Sequence, residues 1–294
     1  MRDWNLRFCF TMSVAVMLSS AAVGAELGAG STSAAPYQWS RYYVGVDGGY
    51  GRVDPSVGWS GNPAAEAGYL SSGGLARSTT INPRGFLGGL HAGYDHQLGR
   101  FIVGIETDLA YANIRGSGTS STGNTIALVD SSGQPLWSIN NYSRYQSSAG
   151  QTLRALGGLR VRAGFLATDG VLIYGTGGLA YGRATLSASI SNTGTNNEWV
   201  ASSDGAVFWT EQFPACHDIC TSGSTSRWLV GTAVGAGLEY AFIDRWTARI
   251  EYLNYNLGTL SVTLADPRIP AYAFNASGLL AGHVARFGLT YHFN

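Results

Sequence analysis

The sequence contains no lysine, and charged residues make up only 12% of its 294 positions. In soluble domains that share is typically about a quarter. Eighteen arginines balance eighteen acids, so no basic surface for nucleic acid is expected. Beyond the first 25 residues, no apolar run approaches the ~20 residues of a transmembrane helix. The chain has instead 41 glycines and 12% aromatic residues, which favours a membrane β-barrel over a cytosolic enzyme.

The N-terminus has the features of an export signal. Arg2 and Arg7 precede the apolar stretch Phe8–Val23, and small residues follow it. A charged region, an apolar region and a small-residue site predict a signal peptide, residues 1–25, that is cleaved off. Sixteen arginines and seventeen acids then remain, a net charge of −1. The Ser/Ala-rich residues 26–40 are predicted to be a flexible periplasmic spacer.

Cysteine is scarce and paired. Cys9 leaves with the signal, so the mature chain keeps Cys216 and Cys220 in the sequence CHDIC. An even pair in an exported chain predicts a disulfide that closes a small loop. The alternative is a metal site, which would need a ligand beside His217, and Asp218 is the only near candidate.

Residues 41–294 are predicted to form one outer-membrane barrel. Eight segments show period-two alternation, and each has the ~9–11 residues that a tilted membrane strand requires. These segments are 41–53, 84–97, 100–115, 152–167, 170–189, 227–242, 245–258 and 281–294.

The connections between the segments alternate strictly between short and long. The sequences LGR, ATDG and IDR make three short turns. The four long connections, rich in Gly, Ser, Thr and Asn, are 54–83, 116–151, 190–226 and 259–280. All long loops therefore fall on one end of the sheet, as in outer-membrane barrels with short periplasmic turns and long external loops. The predicted fold is an all-β, eight-stranded, antiparallel, up-and-down transmembrane barrel.

The two faces of the strands differ in polarity. One face is continuous and apolar, and nearly every strand charge lies on the other. Lipid outside and a polar interior fit this arrangement, whereas a soluble barrel would invert it. The charged residues predicted to line the lumen are Asp47, Asp95, Glu106, Asp108, Arg154, Arg160, Arg162, Glu239, Arg249, Glu251 and Arg286.

Aromatic residues of the apolar face fall into two groups. Two aromatic girdles at the two interfaces are typical of a bilayer-spanning barrel. The short-turn group is Tyr42, Tyr94, Phe101, Phe165, Tyr240, Phe242, Trp246 and Phe293, and the long-loop group is Tyr50, Phe86, Tyr111, Tyr181, Trp228 and Tyr252.

The lumen charges are nearly balanced, with six acids and five arginines. Arginine binds carboxylates in bidentate fashion, and eight strands enclose only enough room for side chains. The sequence therefore predicts a lumen closed by Arg–carboxylate pairs. The alternative is a water-filled lumen with scattered polar residues.

Several stretches resemble a known family. They are GFLGGLHAGYDHQLGRFIVGIETDL, YGTGGLAYG, VGAGLEYAFIDRWTARIEYLNYNLG and RFGLTYHFN. They resemble the eight-stranded outer-membrane barrels of alphaproteobacteria, which include immunogenic, porin-like and haemin-binding surface proteins. The likeness covers roughly residues 41–294. It implies an OmpA-like barrel in the cell outer membrane with both termini in the periplasm.

The resemblance also implies partners. These are outer-membrane lipid and lipopolysaccharide, the barrel assembly machinery, and a host or environmental ligand at the loops. The assembly machinery usually reads a terminal aromatic residue, whereas here Phe293 is penultimate and Asn294 follows. The long loops do not match the family, so they carry over no binding residue.

No catalytic constellation or cofactor motif stands out. The prediction is a non-enzymatic barrel with a structural or surface-exposed role, whose loops contact the environment or a host. The alternative is a small-solute porin or a haemin-binding uptake protein, with His217 as the one loop histidine to test as a haem ligand. A lipid-modifying enzyme ranks third, with His283 and Ser277 as a poor pair of candidates.

Overall fold

The computed structural model of the chain describes residues 37–129, 135–202, 205–213, 220–266, 268 and 270–293, with the backbone course alone over 124–144 and 193–213. Nearly all of these residues form antiparallel strands. The strands are β1 (Tyr42–Val53), β2 (Ser56–Gly61), β3 (Ser78–Thr80), β4 (Arg84–Leu98), β5 (Phe101–Val129), β6 (Pro135–Thr168), β7 (Val171–Ser202), β8 (Gly205–Phe213), β9 (Thr221–Ile243), β10 (Trp246–Ala265) and β11 (Ala273–His292).

Eight of these strands close into a barrel. Their order around the ring is β1-β4-β5-β6-β7-β9-β10-β11, and β11 pairs back onto β1 from Tyr43↔His292 to Val53↔Gly282. A closed ring leaves no strand edge with unpaired backbone groups, as a bilayer requires. The predicted eight-stranded antiparallel barrel is therefore confirmed.

The three predicted short turns are two residues long. Gly99–Arg100 joins β4 to β5, Asp169–Gly170 joins β6 to β7, and Asp244–Arg245 joins β9 to β10. Gly99 has a φ of 66° and Arg245 a φ of 77°, the left-handed conformation that tight hairpin turns use. We call this side of the barrel the short-turn end and the opposite side the loop end.

The strands run far beyond the predicted boundaries. β5, β6 and β7 have 29, 34 and 32 residues, so much of the predicted loops 116–151 and 190–226 is hydrogen-bonded ladder. The predicted long connections 116–151 and 190–226 therefore consist largely of paired strand. Above the membrane the outward side chains are mainly polar, so the apolar lipid-facing pattern ends while the backbone pairing continues. A strand rich in serine and threonine is therefore not detected by a pattern of alternating hydrophobicity.

Additional strands extend the wall at the loop end. β2 pairs with β11 from Val57↔Gly278 to Gly61↔Phe274, and β3 pairs with β2, so β2 continues the position of β1. β8 pairs with β7 only, and the membrane ring keeps eight strands.

One short helical segment interrupts the connection between β2 and β3. Helix α1 (Pro63–Ala65) begins after Asn62, whose side chain accepts a hydrogen bond from the Ala65 amide, and a π-helical turn (Glu66–Leu70) follows. In the described part of the chain, no helix is long and apolar enough to span a membrane.

The outer face of the ring is apolar and exposed. Side chains such as Val44, Leu90, Ile105 and Val230 have no protein neighbours to cover them and are 43–71% exposed. Twelve of the fourteen girdle aromatics are exposed, while Tyr94 and Tyr181 are half-buried. A large continuous apolar surface of this kind needs a nonaqueous solvent, which the bilayer supplies.

Candidate functional site: the filled lumen

Ten buried charged residues meet inside the barrel on the side of the short-turn end. Alternation along each strand brings them to one level, because residues two apart face the same side. This charged layer consists of Asp47, Asp95, Glu106, Asp108, Arg160, Arg162, Glu239, Arg249, Glu251 and Arg286.

Glu106 lies at the centre of the charged layer. Its Oε1 accepts a hydrogen bond from Arg160 Nη2 at 2.8 Å, and its Oε2 accepts one from Arg249 Nη1 at 2.5 Å. Arg162 and Arg286 each approach the same carboxylate to 3.5 Å. The Tyr43 hydroxyl donates to Oε2 at 3.1 Å. One carboxylate thus connects four strands through four guanidinium groups.

Arg162 is held from several sides. Its Nη2 donates to Glu239 Oε2 at 2.6 Å, and its Nε lies 3.4 Å from Asp95 Oδ1. The guanidinium carbon lies 4.3 Å from the centre of the Tyr174 ring and 5.3 Å from that of Tyr43. Cation–π contacts and ion pairing therefore act on the same buried group.

Arg286 and Arg160 share the carboxylates nearest the loop end. Arg286 Nη2 donates to Glu251 Oε1 at 2.7 Å and its Nη1 donates to Asp108 Oδ2 at 3.2 Å. Arg160 Nη1 lies 2.5 Å from Asp108 Oδ1. Each arginine bridges carboxylates of two other strands, a geometry that the planar guanidinium permits.

Two histidines also contact carboxylates of the charged layer. His91 Nδ1 lies 2.8 Å from Asp47 Oδ2 and its Nε2 lies 3.0 Å from Thr290 Oγ1. Arg249 Nη2 donates to the same Asp47 oxygen at 3.0 Å. His292 Nε2 lies 3.4 Å from Glu239 Oε1.

Three uncharged side chains also contact the charged layer, and looking for charged residues in the sequence does not find them. Tyr43, Tyr174 and Thr247 are buried, and each donates a hydroxyl hydrogen bond to a carboxylate: Glu106, Glu251 and Glu239, respectively. Their inward parity in the sequence is the signal that could have identified them.

The prediction for Arg154 is wrong. The structure places its side chain on the exposed surface, whereas its neighbour Leu153 is buried. The register of β6 against β7 shifts between Leu153 and Ala155, which marks a β-bulge. An extra residue in one strand exchanges the inward and outward faces beyond it.

The interior on the loop side of the charged layer is apolar, contrary to the predicted polar lumen. We call this part the apolar layer. A cavity of only about 10 Å³ lies between the two layers, roughly the volume that one water molecule needs. The apolar layer consists of Leu87, Ala110, Ile114, Leu153, Leu156, Ala180, Ala233, Leu253, Tyr255 and Val284.

A segment before β1 occupies the short-turn end of the interior. Trp39 is fully buried, and its Nε1 donates to the Asp169 carbonyl oxygen at 3.0 Å. The ring of Tyr37 packs 4.9 Å from that of Trp39. Burial raises the pKa of the Tyr37 hydroxyl above its ordinary value. Residues 37–40, predicted as part of a flexible spacer, are instead packed against the barrel.

Of the remaining predicted site residues, only Cys220 belongs to the part of the chain that the structure describes. Cys220 is disulfide-bonded, while Cys216 and His217 lie outside the described residues, so the pairing between the two cysteines stays a prediction. Among the residues that the structure describes, no group of three or more His, Cys, Asp or Glu side chains could hold a metal ion.

A closed antiparallel ring with an apolar outer face and two aromatic girdles defines an outer-membrane β-barrel protein. The family model of the outer membrane protein beta-barrel domain matches residues 19–293, and the chain belongs to this family.

Two relatives match over almost the whole chain. The 31 kDa outer-membrane immunogenic protein of Brucella melitensis is 28% identical over 288 residues, which cover 96% of this chain and 97% of that protein. The protein of the same description from Brucella suis matches to the same extent. This chain is thus similar to outer-membrane immunogenic proteins.

Solved structures of outer-membrane proteins are also similar. The outer membrane protein OprG from Pseudomonas aeruginosa is 12% identical with a TM-score of 0.45, and the match covers 88% of this chain and 99% of that one. The attachment invasion locus protein Ail of Yersinia pestis is 16% identical with a TM-score of 0.26, covering 84% and 99%.

Proposed function

We propose that this protein is a non-conducting, surface-exposed barrel of the outer membrane, whose extended hairpins contact the environment or a host. The single observation that carries the proposal is the two-layered filling of the lumen. Charged side chains and apolar side chains lie in series along the axis, and a water path would have to cross both.

The charged layer supports this proposal through its contacts. Six carboxylates face four arginines at distances of 2.5–3.8 Å, so each guanidinium holds more than one strand. Moving one side chain aside would leave a buried charge without its partner, which is costly. The charged layer therefore connects the strands rigidly across the barrel interior and does not act as a set of independent pore-lining groups.

The apolar layer supports the proposal in a different way. Apart from the hydroxyl of Tyr255, its residues offer water no polar partner, and apolar constrictions exclude ions by dewetting. Solvated ions would have to give up hydration where no side chain replaces it. The segment before β1, residues 37–40 with the buried Trp39, is a third obstruction at the short-turn end of the interior.

The finer parts of the proposal concern residues that the structure does not describe. Residues 1–25 are removed on export, and Cys216 pairs with Cys220 in a disulfide that closes a small loop. The mass of the mature protein from outer membranes, measured with and without reduction and alkylation, tests both. A mature mass that includes residues 1–25, or two alkylated cysteines without reduction, contradicts the respective part.

Single-channel recording in a planar bilayer tests the function. We expect the refolded chain, residues 26–294, to insert as a folded barrel and to show no steady openings. Heat-modifiable migration on unboiled gels serves as the control for folding. Steady, ion-selective openings from the folded wild-type protein would instead favour the small-solute porin.

A titration with haemin tests the uptake alternative. We expect no change in the haemin absorption band that depends on His217. A band that forms with the wild-type protein and is lost in His217→Ala would replace the structural role with haemin binding.

A further inference from the structure

Five exposed arginines lie on the outer face of the barrel near the loop end. They belong to five strands that are consecutive around the ring: β1, β4, β5, β6 and β7. We call them the arginine belt: Arg52, Arg84, Arg115, Arg154 and Arg183.

Three members of the arginine belt stand side by side. Arg52 pairs across the strands with Arg84, and Arg84 pairs with Arg115. Like charges directly opposite one another destabilise a sheet, and neighbouring strands are only about 4.8 Å apart. In the described part of the chain, none of the five makes an ion pair or a side-chain hydrogen bond. This row of positive charge therefore lacks a counter-charge within the described barrel.

The height of the belt is fixed by the aromatic girdle. On the outward face Arg52 follows Tyr50, Arg84 precedes Phe86, and Arg183 follows Tyr181, each two residues closer to the loop end. Two residues of a strand span about 6.6 Å. Girdle aromatics mark the boundary between hydrocarbon and headgroups. The guanidinium groups of these arginines consequently lie at the level of the headgroups.

A cleft opens between two of the arginines. It has a volume of about 270 Å³ and is lined by Tyr50, Arg52, Asn82, Pro83 and Arg84, with Val53 at its base. The nearest acid along β1, Asp54, is engaged by Ser56, which donates to Asp54 Oδ1 from its amide at 3.2 Å and from its hydroxyl at 3.1 Å. The cleft is thus lined by an aromatic ring, an amide, a proline ring and two guanidinium groups without an ion pair.

We infer that the arginine belt binds the phosphate groups of a phosphorylated glycolipid of the outer leaflet, with the cleft beside Arg52 and Arg84 as the principal site. Arginine binds phosphate in bidentate fashion, and its guanidinium is always charged. The aromatic residues below the belt contact the acyl chains of the same molecule. The inference rests on the placement of the barrel in the outer membrane and is independent of whether the lumen conducts.

The bulge in β6 acquires a role in this arrangement. It turns Arg154 outward, beside Arg183 of β7, since Ala155 is the cross-strand partner of Arg183. The belt is therefore continuous from β1 to β7 only because the register shifts there. A regular strand would place this charge inside the barrel.

Native mass spectrometry of the full mature chain in non-ionic detergent tests the inference. The probe is diphosphoryl lipid A, compared with the same glycolipid after removal of both phosphates. We expect the double variant Arg52→Gln/Arg84→Gln to bind the phosphorylated lipid about 30-fold more weakly than wild type, since each basic residue near a lipid surface contributes a factor of about five. The dephosphorylated lipid is expected to bind weakly to both.

The matched control removes two charges from the opposite end. Arg100 and Arg245 lie in the short turns, Arg100 exposed and Arg245 half-buried, and the double variant Arg100→Gln/Arg245→Gln should bind lipid A as wild type does. Arg52→Lys/Arg84→Lys should retain most of the binding. Heat-modifiable migration confirms that each variant is folded.

Three outcomes overturn the inference. The first is equal lipid A binding by wild type and Arg52→Gln/Arg84→Gln. The second is equal binding of the phosphorylated and dephosphorylated lipids, which would assign the contacts to the acyl chains. The third is full displacement of lipid A by inorganic phosphate at low millimolar concentration, which would assign the cleft to a free anion.

Discussion

At the scale of single residues, each lumen arginine binds several carboxylates at once, which a lysine could not do. Arg286 contacts Glu251, Asp108 and Glu106 at the same time, because its five donors point in fixed directions in one plane. A lysine carries a point charge and would satisfy fewer of these oxygens. The absence of lysine from the sequence thus matches an interior in which every cation bridges several carboxylates.

Arg162 provides the sharpest test of the charged layer. We expect Arg162→Ala to destabilise the barrel, since breaking a buried ion pair by removing one partner typically costs about 3–5 kcal/mol. Arg154→Ala, at an exposed site with no ion pair, should change stability by less than about 0.5 kcal/mol. The measurement is the temperature at which the folded band is lost on unboiled gels. Equal temperatures for the two variants would show that the charged layer does not hold the barrel together.

The residue scale also shows what a sequence can predict. Ten of the eleven charges predicted to face the lumen do so, because period-two parity holds along regular strands. Arg154 breaks the pattern through the bulge at Leu153 and Ala155, and no residue type in that stretch marks a bulge. Side-chain partners such as Glu106 with Arg249 depend on strand order around the ring, which parity does not contain.

At the scale of the elements, apolar alternation detects a strand only where lipid touches it. β5 continues to Val129, well past residue 115, where the predicted segment ends. Beyond that residue its outward side chains are polar, as are many inward ones. The strands β2 and β3 were missed for the same reason, since both lie outside the hydrocarbon region and are short.

Two buried side-chain hydrogen bonds through Thr79 link β2, β3 and β6. Trp59 Nε1 donates to Thr79 Oγ1 at 2.9 Å, and the Thr79 hydroxyl donates to the Ser147 carbonyl oxygen at 3.2 Å. Thr79→Val leaves the indole without its acceptor, at a cost of about 1–3 kcal/mol. We expect faster hydrogen exchange in β2 and β3, while the membrane ring keeps its protection.

A matched variant separates this effect from the loss of any hydroxyl. Thr119 is exposed, with its hydroxyl 2.9 Å from that of Ser148, so Thr119→Val should leave exchange in β2 and β3 unchanged. Protection that is lost throughout the ring in Thr79→Val would mean that the loop end and the membrane part unfold together.

At the scale of the whole molecule, the barrel interior is filled by two layers of different chemistry in series. The charged layer and the apolar layer occupy successive levels along the axis, with the cavity of about 10 Å³ between them. Opening one level leaves the other in place. The proposed closure of the lumen would therefore rest on two kinds of chemistry that respond differently to solvent conditions.

This arrangement predicts the conductance of variants. Arg286→Ala opens the charged layer but should remain silent in a planar bilayer, because the apolar layer still excludes ions. Adding Leu156→Ala and Leu253→Ala should produce openings, although each buried Leu→Ala change costs about 2–5 kcal/mol of stability. The folded band on unboiled gels identifies the variants that qualify. Steady openings in Arg286→Ala alone would show that the apolar layer is no barrier.

The length of β5 and β6 has a mechanical consequence. A spanning strand needs about 9–11 residues, so roughly two thirds of these two strands stand clear of the hydrocarbon. Strands that rise about 3.3 Å per residue and remain paired along their length form a stiff extension rather than a flexible linker. A partner that binds near the far end of these strands is held tens of ångströms from the membrane. A force applied to that partner is transmitted through the paired strands to the membrane ring.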